Sequence, residues 1–119
     1  MEKKDLIIGI VGPCKSGKTT LKKGLIDHGY KGKQIAQEHS FSPSMWKKLT
    51  DPDILIYLNV SFINSKERGK LNWQEKDYIE QLRRLSHAKE NANLYIDTNE
   101  KNIKEVLETA INFIQVLPD

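Results

Sequence analysis

Two runs constrain this chain more than any other feature: residues 6–11 (LIIGIV) and residues 54–60 (ILIYLNV) are apolar at successive rather than alternate positions. A strand built from such a run has to be covered on both faces, which calls for a parallel sheet with helices above and below it. Two further strand segments are expected at residues 33–38 (KQIAQE), held by Ile35 and Ala36, and at residues 94–97 (LYID). Helical signals fill the intervals. Residues 18–28 place Leu21 and Leu25 four apart and end at Gly29. Ser42 and Pro43 suit the cap and first position of a short helix with Met45, Trp46 and Leu49 on one side, and Ser61 can cap another reaching Arg68. Asn72 followed by Glu75 resembles a capping box for a long helix to about Asn91, whose apolar positions are Tyr78, Ile79, Leu82 and Leu85. Ile103, Val106, Leu107, Ala110, Phe113, Ile114 and Leu117 trace a final amphipathic helix. Strands that alternate with helices over 119 residues, with no repeat or linker, predict one α/β domain spanning 1–119. The expected architecture is three layers, α/β/α, around a parallel sheet of about four strands in the order 2-1-3-4. Ligands of such sheets bind beyond the carboxyl ends of the strands, where Gly12, Glu38, Ser61 and Thr98 are expected.

At the first of those ends the sequence reads Gly12-Pro13-Cys14-Lys15-Ser16-Gly17-Lys18-Thr19, a complete GxxxxGK[ST] followed by Thr20. At background frequencies of roughly 7% for Gly and similar values for the other types, chance supplies the pattern in well below about one chain in a hundred of this length. Its context also fits, with an apolar strand before it and a helix after it. Glycines allow the backbone to turn and approach phosphate closely, and the loop amides and helix dipole supply positive potential. In such a Walker A P-loop the lysine, here Lys18, reaches the β- and γ-oxygens, and the hydroxyl of Thr19 ligates Mg2+. Cys14 is either a small loop filler or a reactive thiol near a helix N-terminus.

IVGPCKSGKTTL resembles the strand and P-loop of the nucleoside, nucleotide, shikimate and adenylylsulfate kinase superfamily. DPDILIYLNVSFINSKERG is similar to the later strand of those kinases and the helix bearing their lid arginine, and NLYIDTNEKNIKEVLETAINFI to their last strand and C-terminal helix. Together the three segments cover about half the chain. The resemblance implies a P-loop fold, ATP and Mg2+ as ligands, Arg68 as the lid arginine, and adenine near Thr98 and Asn99, with helix capping by either residue as the equally good alternative. The acceptor-binding helices usual after the first helix have no counterpart, because the chain passes from Gly29 to Lys33 almost at once. The hydrophobic strand ending in Asp, the usual second magnesium anchor, has none either.

Gln37-Glu38-His39 is the nearest substitute. Glu38 could hold Mg2+ through water or orient a nucleophile, or be an ordinary exposed glutamate; His39 could act as acid or base, or hydrogen-bond within a loop. Only three arginines stand among sixteen lysines, and Arg grips phosphate bidentately where Lys cannot. Arg68 suits the charge of a transferred phosphoryl group, with a structural ion pair as the alternative. Arg83 and Arg84 divide between an inward and an outward position on the long helix, with ion pairs again the alternative. Trp46 and Trp73 read as core or interface packing residues, with base stacking as the alternative.

The remaining composition excludes more than it suggests. One cysteine allows no internal disulfide and no CxxC metal site. A net charge of +3, spread thinly, makes no case for nucleic acid. No apolar run approaches a membrane span, and cleavage after the N-terminal apolar stretch would destroy the motif, so a cytoplasmic protein is expected. DxxG and NKxD stretches are absent, which disfavours a signalling GTPase. The leading expectation is an ATP- and magnesium-dependent, kinase-like phosphotransferase acting on a small acceptor, with Lys18, Arg68 and Glu38 catalytic and Thr19 and Glu38 at the metal. The alternative is a nucleotide-binding regulatory or partner protein that hydrolyses slowly or not at all. An oligomer is left open.

Overall fold

The computed structural model describes residues 2–69 and 72–118. Four strands, β1 (Ile7–Val11), β2 (Lys31–Gln34), β3 (Ile54–Asn59) and β4 (Leu94–Asp97), form one sheet in the order β2-β1-β3-β4. Every neighbouring pair is parallel. Four α-helices connect or follow them: α1 (Lys18–Asp27), α2 (Phe62–Gly69), α3 (Glu75–Asn91) and α4 (Ile103–Gln115). The expected strand order and fold class are those observed.

The period of two along the strands divides the core in two. Ile8 and Ile10 of β1 and Ile54, Ile56 and Leu58 of β3 point to one face, where Leu21 and Leu25 of α1 and Val106, Ala110 and Ile114 of α4 cover them. Val11, Leu55 and Tyr57 point to the other face and pack with Ile35, Trp46 and the α3 residues Leu85 and Ala88. The two central strands are therefore buried except at Ile7 and Asn59, which are partly exposed, as their unbroken apolar runs require. Burial of the Tyr57 ring, with Tyr95 stacked on it at 5.6 Å, pushes its phenol well above the ordinary range.

Several local expectations are corrected. The second strand occupies residues 31–34 rather than 33–38: Lys31, Gly32, Lys33 and Gln34 pair with β1 although Gly32 alone of the four is buried. Edge pairing to β1, not hydrophobicity, holds this strand, so its composition hid it. Residues 37–39 form a 3-10 turn beyond the strand. The short helix expected at Ser42 is a single wide turn at Trp46–Thr50, closed by the Asp51 amide bonding the Trp46 carbonyl at 3.1 Å, and Leu49 is exposed. The start of α3 is capped by Gln74 and Asp77, not Asn72 and Glu75. Ser61 caps α2 as expected, its hydroxyl accepting from the Asn64 amide, while Asn102, rather than Thr98 or Asn99, caps α4.

Gly9 marks the tightest point of the α3 side of the sheet. A Cβ there would lie 2.8 Å from Ile35 Cδ1 and 2.9 Å from both Cβ and Cγ of Pro52, and a proline ring has little freedom to yield. Gly9→Ala is expected to destabilise the fold by about 1–3 kcal/mol through overpacking. A urea denaturation midpoint equal to that of the wild type would contradict this packing.

Candidate functional site

The loop between β1 and α1 is shaped by three backbone demands. Gly12 abuts β3, where a Cβ would meet the Leu58 carbonyl oxygen at 2.4 Å. Gly17, the residue before α1, has φ of 102°, which an L side chain rarely adopts. Lys15 takes φ of 67° without being glycine, a left-handed conformation that costs roughly 1–2 kcal/mol. Its carbonyl oxygen accepts from Arg68 Nη1 at 3.1 Å, so a helix 53 residues away helps hold the strained position.

The loop places Lys18 at the first position of α1, yet its side chain is only 5% exposed. Oxygen surrounds the ammonium: it donates to the Gly12 carbonyl at 2.8 Å and the Pro13 carbonyl at 3.1 Å, and pairs with Glu38 Oε2 at 2.8 Å. Glu38 is buried to the same degree. A pair this dry loses its hydration, and the short contacts must offset that loss. Thr19 follows on the helix, its hydroxyl donating to Gln34 Oε1 at 2.8 Å.

Glu38 reaches this position because its neighbour is pinned. Gln37, with no exposed surface, accepts the Trp46 amide at 2.9 Å and donates to the carbonyls of Ser42 at 2.7 Å and Arg84 at 3.3 Å. These bonds fasten the 37–39 turn to α3 and present Glu38 to the loop. Glu38 Oε1 and Ser16 Oγ are buried with no hydrogen-bond partner among the described residues. Buried polar atoms seldom stay unpaired, so both mark the site as suited to further polar ligands.

A cleft of about 930 Å³ opens over the loop. Cys14, Lys15, Ser16, Gly17, Lys18, Thr19 and Thr20 line it, with Glu38, His39 and Arg68. Gly12 and Pro13 lie behind it, buried, and contribute the carbonyls that hold Lys18. The expected site residues thus gather in one place. The amides of Gly17, Lys18, Thr19 and Thr20 stand where a helix has no partner for them, and they donate to nothing among the described residues. Arg68 is anchored as well as present: its guanidinium donates to Thr98 Oγ1 at 3.1 Å and the Thr98 carbonyl at 2.6 Å, while the Thr98 hydroxyl donates to the Asn59 carbonyl at 2.7 Å. The ends of β3 and β4 and the loop are joined through this one side chain. The cleft is also lined by the apolar Leu21, Ile103, Val106 and Leu107, with Lys101, Asn102 and Lys104 among them.

Arg83 and Arg84 stand away from that lining. Both pair with Glu80, Arg84 being the more buried, and the Arg83 hydrogen bond draws the Glu80 carboxyl down to about 2. Trp46 packs under α3, its indole donating to His87 Nδ1 at 3.1 Å, and Trp73 clusters with Phe62 and Tyr78.

Sequence reasoning passed over Gln81, which reaches from α3 to the loop. Its Oε1 accepts the Cys14 amide at 3.0 Å and its Nε2 donates to Cys14 Sγ at 3.1 Å. The role of Gln34 was passed over too, and Gln37 was named only as the neighbour of Glu38. All three are polar residues inside elements read for their apolar positions; only a buried glutamine pointing from α3 toward the loop could have given a signal, and the pattern does not say where it points.

Chemically, acceptor-free amides, a buried ammonium and an anchored guanidinium suit the cleft to a polyanion. Hydroxyl and carboxylate oxygens at Thr19 and Glu38 are hard donors of the kind Mg2+ takes. No family model matches this chain, and no curated protein does. Any reading of function therefore rests on these residues.

If the Lys18–Glu38 pair carries the site, Lys18→Met alone should destabilise the protein by about 3–5 kcal/mol, by leaving a buried carboxylate uncompensated. Adding Glu38→Gln should recover most of that loss. Chemical denaturation of the two single variants and the double variant measures the coupling; effects that add within ~0.5 kcal/mol would show the pair to be independent.

Proposed function

We propose that the cleft binds a nucleoside triphosphate, ATP in the first instance, with Mg2+, and that the protein is a P-loop phosphotransferase of kinase type acting on a small acceptor. The observation that carries the reading is the combination of GxxxxGK[ST] with a buried Lys18 over a loop whose following amides have no acceptor among the described residues. Lys18 already holds a carboxylate oxygen at 2.8 Å, and a phosphate oxygen offers the same charge and hydrogen-bonding chemistry. On this reading the triphosphate takes over Lys18, accepts from the amides of residues 17–20, and extends toward the wall of Ile103 and Leu107, where a base finds apolar cover.

The donor set fits magnesium. Thr19 and Glu38 would hold it, Thr19 directly and Glu38 directly or through water, and the ion would neutralise charge on the β- and γ-oxygens. Glu38, released from Lys18, would also be free to orient the acceptor hydroxyl. Arg68 stands over Lys15 at the cleft, where a guanidinium favours charge building on a phosphoryl group in transit. The compartment proposed is the cytoplasm, where nucleotide is abundant; among the described residues no helix is long and apolar enough to cross a membrane.

A second reading has its own support. Lys18, Thr19 and Arg68 are each engaged with protein acceptors, and the described part of the cleft contains one carboxylate, Glu38. A nucleotide-binding regulator that hydrolyses slowly or not at all requires no more than that.

Two measurements test the site, the first its binding of nucleotide and the second the choice between these readings. Lys18→Ala is expected to weaken Mg2+-ATP binding at least tenfold, about 1.4 kcal/mol, in titration calorimetry. Unchanged affinity in a folded variant would remove the loop from binding. Arg68→Ala and Glu38→Gln are expected to slow single-turnover loss of γ-phosphate by about tenfold to a thousandfold while nucleotide stays bound. Equal background rates in wild type and both variants, across a broad acceptor panel, would leave the regulator and reject the kinase.

A further inference from the structure

Beside the ammonium pocket lies a second grouping with different chemistry. Cys14 Sγ is 3.7 Å from His39 Nε2, and His39 Nε2 is 3.9 Å from Glu38 Oε2. The ligating atoms of all three side chains lie within 4.8 Å of one another. A tetrahedral zinc ion with ordinary bonds to nitrogen, oxygen and sulfur separates its ligand atoms by about 3.3–3.6 Å. The two shortest separations already approach that spacing, so small side-chain rotations would close the set around one ion.

Two independent features point to a ligand rather than to chance proximity. Glu38 is buried, and its Oε1 meets no donor among the described residues, while Oε2, the oxygen 3.9 Å from His39 Nε2, is held by Lys18. A cation bound by this carboxylate beside Lys18 would give Oε1 the partner it lacks. Cys14 also has an outer support of the kind that steadies a metal-bound thiolate: Gln81 Nε2 donates to the sulfur at 3.1 Å while Gln81 Oε1 fixes the Cys14 amide.

We propose that Cys14, Glu38 and His39 form a site for one thiophilic divalent cation of the zinc class at the mouth of the cleft. A thiolate, an imidazole and a carboxylate are the ligand types zinc accepts, and sulfur selects against Mg2+ and Ca2+. The imidazole binds as its neutral form through Nε2, and the thiol proton passes to solvent on binding. Three protein ligands leave the fourth position for water or an anionic oxygen. The site would face whatever occupies the cleft above Lys18, and its existence does not depend on the nucleotide reading.

The single cysteine makes the test clean. Untagged, nucleotide-free protein is titrated with Co2+, whose thiolate complexes give a ligand-to-metal charge-transfer absorption. One equivalent is expected to develop that band, to be displaced by Zn2+ and to be unaffected by Mg2+. Cys14→Ser should abolish the band, and His39→Gln, at an exposed position, should weaken Co2+ binding by at least ~10-fold, circular dichroism showing both variants folded. Absence of the band in folded wild type at excess Co2+, or undiminished affinity in His39→Gln, would overturn the proposal. Either result leaves nucleotide affinity, measured separately, untouched as a question.

Discussion

An ammonium group taken out of water must find oxygen, and in this protein that requirement organises everything around β1. Lys18 sits at the start of a helix, where its side chain could reach solvent, and instead turns back onto the carbonyls of Gly12 and Pro13 and the carboxylate of Glu38. For those oxygens to converge, the loop must fold tightly after β1, and the 37–39 turn must come within reach from the neighbouring strand. Gly12 permits the first by its contact with β3, and the buried hydrogen bonds of Gln37 secure the second. Removing the convergence would leave a buried charge without compensation, an expense of several kcal/mol in a domain whose whole stability is of order 5–15 kcal/mol.

The sheet order makes that convergence possible. With β2 on one side of β1 and β3 on the other, the carboxyl ends of three adjacent strands open onto the same cleft. Each end contributes something distinct. β1 leads into the loop, β2 leads to Glu38, and β3, tied to β4 by Thr98 and Asn59, holds Arg68 over Lys15. α3 covers the opposite face of the sheet and still reaches the loop through Gln81. The cleft is therefore bound by residues from nearly every element, and its shape is coupled to the packing of both faces.

What the sequence made legible follows from the strength of local signals. The central strands announced themselves through unbroken apolar runs, and the β/α alternation led to the strand order. The Gly12 to Thr19 stretch was legible because its residue types sit at fixed spacing. The second strand was misread because an edge strand is held by backbone pairing to β1, for which Lys31, Gly32, Lys33 and Gln34 carry no hydrophobic signature. Ile35, which anchored the expected strand, instead packs beyond its end against Trp46 and Leu55. Glu38 was singled out, but its burial and its bond to Lys18 depend on Gln37 being fastened to α3, a tertiary event. Gln81 was invisible for the same reason: its partner in the loop lies 67 residues away.

The central proposal is that the amides of Gly17 to Thr20 and the Lys18 ammonium together receive a triphosphate. Nitrogen-proton NMR during titration with Mg2+-ATP tests it most directly, since each loop amide reports for itself. The account predicts large shifts and slowed solvent exchange at Gly17, Lys18, Thr19 and Thr20, with smaller changes at Arg68 and along the start of α4, all lost in Lys18→Ala. Loop amides that stay unmoved at saturating Mg2+-ATP, or shifts that persist in the Lys18 variant, would contradict it.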